Sequence, residues 1–420
     1  VIELLYRHCS IADYQEMNEQ RNRESDVSGW PKLEWDGERT GPLQGVKVLD
    51  MSSVVLGPFA TVQLADLGAE VIKVENAQGG GDIMRKAGDN PTGDLGPIYA
   101  SLNRNKKSVA LDASKPEEKA AILELAKGAD VFFHNVRMAG MERLGLGYED
   151  VKAVNPDIVY VHCAGYGAEG PYAKRQAYDD LIQAASGFAS LFEMRDKGRP
   201  QYAPTLVADK VSGMFAANAV LAALLGRANG LGGQFVQVPM FECFTWFHMV
   251  ENLWGNTFLP GNGKMAYTRS INPRRRPYPT KDGYIAIVPY ADHQWERFFE
   301  LAGRPGVFQD PRFSSYKARL ENTTELYATI EECSATKTTA EWVELLDANN
   351  IPAMKYNRMA DVFDDPHLKA VDFFEEREAK AGYRYRSMRH PVHYASTPAS
   401  VFADPPSLDA DRDEVLGGDS

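Results

Sequence analysis

Two aspartate-bearing segments carry the most suggestive chemistry in the chain. Asp209 lies in PTLVADKVSG, at the head of a stretch whose later turns are almost wholly apolar. An aspartate at a helix start serves as an N-cap. The same setting also keeps a carboxylate ionised through amide donors and the helix dipole, and an ionised carboxylate is a nucleophile toward an acyl group. Asp179 and Asp180, in AYDDLIQAASG, carry the same two readings, and spacing alone does not choose between the sites. The run Gly79-Gly80-Gly81-Asp82, followed by Arg85, is either a solvent loop or a place where backbone approaches a ligand with Arg85 as charge partner. Arg104, Lys106 and Lys107 precede an apolar strand. They form either a phosphate-seeking patch or a charged edge that blocks sheet pairing.

Several elements must hold these residues. VKVLDMS reads as a strand, and Gly57-Pro58 opens the helical stretch FATVQLADL, closed by Gly68. VIKVE (71–75) is a second strand. The turn between them reads VLGP rather than GxGxxG, and proline removes an amide donor, which argues against a classical NAD site. SVALD (108–112), DVFFHN (130–135) and IVYVHCAGY (158–166) read as further strands, with the helix PEEKAAILELAKGA after the first. Alternating helices and near-continuous apolar strands predict an α/β fold with a parallel, doubly wound sheet. Helices follow at YDDLIQAASGFASLF and Asp209–Arg227, then a strand over 233–240 and another helix. TRSINPRRRPYPTKDG reads as a linker. GYIAIVP (283–289) opens a second α/β unit with helices near 292–302, 320–335 and 339–348 and a strand over 351–356. After residue 370 the chain is Pro- and Arg-rich without strong periodicity.

Composition excludes some partners. Of 420 residues, 46 are Lys or Arg and 58 Asp or Glu, a net charge of -12, which speaks against a nucleic-acid surface. No long apolar run reads as a membrane span, so no membrane is expected. Four separated cysteines without a CxxC pair suit reduced thiols in a cytoplasmic protein. There is no HExxH, and His390 and His393 flank a proline, so no metal site is expected.

In order along the chain stand GPLQGVKVLDMSSVVLGPFATVQLADLGAEVIKVE, GGGDIMR, SLNRNKKSVALD, DVFFHNVRMAGMERLGLGYEDV, NPDIVYVHCAGYGAEGP, AYDDLIQAASG, LVADKVSG and GQFVQVPMFE. As a set, from Pro42 to Leu416, they resemble the family III CoA-transferases, the CaiB/BaiF family. The resemblance implies a large Rossmann-like parallel-sheet domain plus a small α/β domain, in an interlocked homodimer. It implies an N-terminal extension at 1–41, the first part of the large CoA-binding domain at 42–264, a linker and small domain at 265–370, and a C-terminal return to the large domain at 371–420. The family's nucleophilic aspartate falls on Asp209. Its substrate contacts fall on Tyr178 and Asp179, and its glycine-rich lid is reduced to Gly261 and Gly263. Its CoA contacts fall on Val55, Leu56, Asn76, Leu111, Asn135, Val136, Arg137, Arg143 and Gln176, and Arg85 joins them from the glycine-run reading. Val55 and Asn76 replace the glutamine and arginine of the oxalate enzyme, a departure from oxalate as substrate.

The implied chemistry is acyl transfer through an aspartyl anhydride and an aspartyl-CoA thioester. Acyl-CoA and a carboxylic acid are its substrates, and no cofactor is bound permanently. The family's racemases instead abstract a proton and need a second acid/base group. Its matching site here is Ala291, and Tyr178 replaces their histidine, so both departures favour transfer. A non-catalytic CoA-binding paralogue is a third reading, and the intact Asp209 motif speaks against it. Arg269 and Arg274–Arg276 suggest a second carboxylate on the substrate, hence a small dicarboxylate with succinyl-CoA as donor. Otherwise they are linker surface or dimer contacts.

Overall fold

The computed structural model describes residues 39–90 and 92–417, so residues 1–38 of the expected extension lie outside the described residues. The described residues pack into two compact units. One holds residues 39–193, Gly198–Leu253 and 366–417, and the other Trp254–Asp365 with Met194–Lys197.

The larger unit is built on six strands: β1 (Lys47–Asp50), β2 (Glu70–Glu75), β3 (Lys106–Ala110), β4 (Val131–His134), β5 (Val159–Ala164) and β6 (Gln234–Pro239). They pair in parallel in the order β3-β2-β1-β4-β5-β6. In doubly wound sheets ligands bind beyond the carboxyl ends of the strands where the order reverses, here between β1 and β4. The helices of this unit include α1 (Leu56–Asp66), α2 (Pro116–Lys127), α3 (Asp179–Ala185), α4 (Phe188–Asp196), α5 (Val207–Gly226) and α6 (Met240–Asn252). On one face of the sheet Leu56, Ala60 and Leu64 of α1 meet Ala216 and Val220 of α5. On the other, Ile122 and Ala126 of α2 pack over Leu49, Phe132 and Tyr160. Both faces are covered, which is why the strands read as mostly apolar runs, interrupted in β1–β3 by a few charged residues.

Three local outcomes differ from the sequence reading. The stretch expected as one helix after Tyr178 is two, α3 and α4, because Gly187 adopts φ +85° and breaks the ladder. The helical stretch Val207–Leu231, with mean hydropathy 1.4, is long and apolar enough to cross a bilayer by length and composition. Within this unit its Ala216, Val220 and Ala223 are buried core residues. The third concerns the smaller unit, whose antiparallel sheet comprises β7 (Tyr278–Pro279), β8 (Tyr284–Ile287) and β9 (Ala353–Lys355). It packs on α7 (Asp292–Leu301), α8 (Thr323–Ser334) and α9 (Thr339–Asp347) around Phe298, Phe299, Ile330 and Trp342. The segment expected as a linker lies along α8. Asn272 Nδ2 donates to Thr324 Oγ1 at 3.1 Å, and Arg274 pairs with Glu331 at 2.9 Å.

The segment after residue 370 is also more ordered than its composition suggests. It forms an antiparallel hairpin of β10 (Phe374–Glu378) and β11 (Arg384–Met388), where Glu376 pairs with Arg384 and Arg386. Beyond it the chain runs along the edge strand β3. Asp411 Oδ2 accepts from the Ser108 amide and Asp409 Oδ1 from the Ala110 amide, each at 2.8 Å. Arg412 donates to the Ala110 carbonyl at 2.9 Å.

Candidate active site

The loops beyond β1 and β4 are tied across the point where the strand order reverses. The Asn135 side chain accepts from the Ser53 amide at 3.0 Å and donates to the Ser53 carbonyl at 2.8 Å. Val54 sits at φ +74°, a strained setting for a β-branched residue, with its amide on the Asp82 carboxylate. Val55 then caps α1 without a side-chain hydrogen bond, so the helix starts on bare amides. Val55 and Leu56 are buried, so what they offer a ligand is backbone. The Asn135 amide group is spent on holding this loop.

Beneath these loops lies a set of buried ion pairs: Lys106 with Asp50 and Lys73 with Asp82, both at 3.2 Å, and Arg85 with Glu75 at 2.6 Å. Arg85 also donates to the Tyr99 hydroxyl and the Pro406 carbonyl. Burial alone would raise Glu75, but the Arg85 hydrogen bond and the Lys73 charge hold it down at about 2. Asp50 is likewise held below its ordinary value by Lys106 and Lys73 against the pull of burial.

This corrects three expectations. Arg85 is 1% exposed and fully engaged, so it is no CoA contact, and the glycine run before it folds back on Glu75 through the Asp82 amide at 2.9 Å. Lys106 is neither a phosphate ligand nor a charged edge, because its ammonium is completely buried. Arg104 is committed to Asp66. Leu111 is also buried, among the core residues beneath the sheet, and its side chain cannot reach a ligand.

Asp209 stands in the first turn of α5, whose N-cap Leu206 supplies no side-chain acceptor. The amide of Asp209 is satisfied from outside, by Asp179 Oδ2 at 3.0 Å. The other Asp179 oxygen accepts from Gln183 Nε2, and Gln183 Oε1 accepts from the Ala203 amide at 2.8 Å. Asp179 is 5% exposed, and its carboxylate anchors the first turn of α5 through the Asp209 amide. Among the described residues no cation or hydrogen-bond donor faces the Asp209 carboxylate. Burial first, and the Asp179 charge second, push Asp209 up to about 7. One turn on, a side chain at Gly213 would have its Cβ 2.7 Å from the Leu56 carbonyl. Glycine there lets α5 close on the start of α1.

Other expected site residues are displayed at the surface. Tyr178, the N-cap of α3, is 62% exposed. Gln176 is exposed, as are Val136, Arg137 and Arg143 beyond β4. Arg137 and Arg143 make no ion pair among the described residues. Asn76 is exposed, but its side chain accepts from the Gln78 amide at 2.9 Å. Gly261 and Gly263 belong to the smaller unit, on an exposed loop closed by Gly255–Lys264 and Asn262–Gly255 backbone bonds of 3.1 and 2.9 Å. Gln183 and Gly213 are the site residues that motif reading misses. The signal for Gln183 is its i+4 spacing from Asp179 on one helix face.

Residues 43–412 match CoA-transferase family III. A probable fatty acyl-CoA transferase of Mycobacterium tuberculosis is 34% identical over 89% of this chain and 97% of its own. A crystal structure of that protein superposes with a TM-score of 0.76, at 33% identity, covering 89% of this chain and 98% of that one. The human succinyl-CoA:glutarate CoA-transferase is 31% identical over 89% of this chain and 85% of its own. A CaiB/BaiF family protein of Brucella suis gives a TM-score of 0.74 at 29% identity, covering 90% of this chain and all of that one. This chain belongs to the family III CoA-transferases. It is an enzyme that moves CoA between acyl groups, with CoA thioesters as substrates.

Proposed function

We propose that the protein transfers CoA from succinyl-CoA, or another small dicarboxylyl-CoA, to a carboxylic acid, with Asp209 as the covalent relay. One observation carries this reading: the Asp209 carboxylate is half-buried, faces no cation among the described residues, and has its pKa raised to about 7. Such a carboxylate is more basic than a solvated one, hence a better nucleophile, yet substantially ionised at neutral pH.

The atoms balance as follows. An Asp209 oxygen attacks the donor thioester carbonyl and expels CoA thiolate, leaving a mixed anhydride. The thiolate attacks the aspartyl carbonyl, releasing the donor carboxylate and leaving an aspartyl-CoA thioester. The acceptor carboxylate attacks that thioester and frees the thiolate, which attacks the acceptor carbonyl of the second anhydride and restores Asp209. No proton or external energy source is consumed. The bare amides at the start of α1 suit the developing oxyanions. Arg137 and Arg143 suit the CoA phosphates.

The human relative's transfer of CoA from succinyl-CoA to glutarate supports the dicarboxylate. Ala291, where a racemase would carry its second acid/base group, is the N-cap of α7, and neighbouring Asp292 is tied to Arg319. The reading includes a cytoplasmic homodimer. The exposed Trp246 and Val250 of α6, 65% and 66% accessible, suit burial against a second chain.

Intact-protein mass spectrometry after mixing with succinyl-CoA, followed by hydroxylamine trapping, tests the relay. The expected product is a hydroxamate on the Asp209 peptide, missing in Asp209→Ala. If a panel of acyl-CoAs gives no adduct while CoA transfer proceeds, the covalent relay is wrong.

A further inference from the structure

The smaller unit contains a cavity of about 440 Å³ enclosed entirely by residues between Tyr267 and Ile330. That lies within the ordinary range for small-molecule sites, about 300–1,000 Å³. Its lining is unusual for a chain of net charge -12, since it includes four arginines and no aspartate or glutamate.

Two of those arginines are engaged by carboxylates from outside the lining. Arg276 pairs with Glu331 at 3.4 Å, and Arg319 is tied to Asp292 and to the Phe313 carbonyl. The other two face no carboxylate among the described residues. Arg269 gives Nε to the Tyr327 hydroxyl at 2.9 Å and also hydrogen-bonds the Tyr267 side chain, so both of its protein partners are neutral. Arg275 makes a single long contact, 3.4 Å to Ser270 Oγ. The Tyr327 hydroxyl, already accepting from Arg269, keeps its own proton to donate. The rest of the lining is apolar and aromatic. Ile287 and Leu326 are buried, and Tyr278, Tyr290 and Tyr316 present ring faces and edges.

A guanidinium that faces no carboxylate of the protein can pair with a planar carboxylate from a ligand. Apolar walls add affinity only for a ligand with an apolar body. We propose that this cavity binds a small organic carboxylate with an aromatic or aliphatic body, its carboxylate held by Arg269 and Arg275. Binding here requires neither CoA nor Asp209.

The test uses the full chain without CoA and 3-phenylpropionate as probe, read by isothermal titration calorimetry. Saturable binding is expected, weakened about tenfold or more by Arg269→Gln and by Arg275→Gln and unchanged in Asp209→Ala. Arg275 is exposed, so its variant should keep the thermal midpoint of the parent and guards against misfolding in the Arg269 variant. Four outcomes would overturn the proposal. These are no saturation into the millimolar range, unchanged affinity in both arginine variants, loss of binding in Asp209→Ala, or equal competition by the uncharged 3-phenylpropanol. Displacement by equimolar inorganic phosphate would also overturn it, by assigning the cavity to phosphate instead.

Discussion

The larger unit buries carboxylates in two ways. Beneath the loops of β1 and β2, Asp50, Glu75 and Asp82 each meet a lysine or arginine within 3.2 Å. At the head of α5, Asp179 and Asp209 meet each other and, among the described residues, no cation. In the first set the partners override the effect of burial and hold Glu75 at about 2. In the second, burial and like charge act together and Asp209 rises to about 7. The paired charges give geometry, a rigid floor under the loops that start α1. Under the proposed relay the unpaired carboxylate gives reactivity, because among the described residues nothing competes with an acyl group for its oxygens.

Breaking the unpaired side should have the largest effect. Asp209→Asn should lower kcat by about 10⁴-fold, some 5 kcal/mol of transition-state stabilisation, in a steady-state transfer assay. The same variant should gain stability over the parent as pH rises. A carboxyl whose folded pKa is raised contributes stability below its unfolded value of 3.8, and that contribution is lost as pH climbs through about 7. Thermal midpoints of the two proteins between pH 4 and pH 8 measure the divergence, and parallel curves would refute the assignment.

Breaking the paired side should cost stability rather than chemistry. Arg85→Met leaves Glu75 buried without its partner, and about 3–5 kcal/mol of unfolding free energy should disappear in urea titration. A variant as stable as the parent would mean that Glu75 is reached by water. The smallest effect sharpens the contrast. Asp179→Asn removes the like charge beside Asp209 and leaves its burial intact. The ascending limb of kcat/KM against pH, expected near 7, should move down by about one unit, about 1.4 kcal/mol. An unmoved limb would leave burial as the whole cause.

Much of this was legible in the sequence, for physical reasons. Strands buried on both faces are mostly apolar, so VKVLD, VIKVE and VFFH announce themselves despite the charges that β1 and β2 bury. The place of Asp209 at a helix start was legible through its motif, and it stands in the first turn of α5. The partner of each charge was not, because pairing runs between strands. GGGDIMR looks like a ligand loop until Arg85 is seen under Tyr99 and against Glu75. AYDD looks like a substrate contact until Asp179 is seen holding the Asp209 amide. The hairpin of β10 and β11 was missed because it is held by Glu376, Arg384 and Arg386 rather than by apolar alternation. TRSINPRRRPYP reads as a linker because proline and arginine are common in linkers. Here those arginines line a cavity and pair along α8.

The seam of Asp409 and Asp411 along β3 has a consequence in time. An edge strand with open amides invites pairing with other chains. In this sheet the amides of Ser108 and Ala110 are covered by residues 303 and 299 positions downstream. During synthesis, at about 5–20 residues per second, β3 therefore waits on the order of 15–60 s for its cover. Over that interval the nascent sheet depends on the ribosome or a chaperone to shield an edge that the finished protein shields by itself.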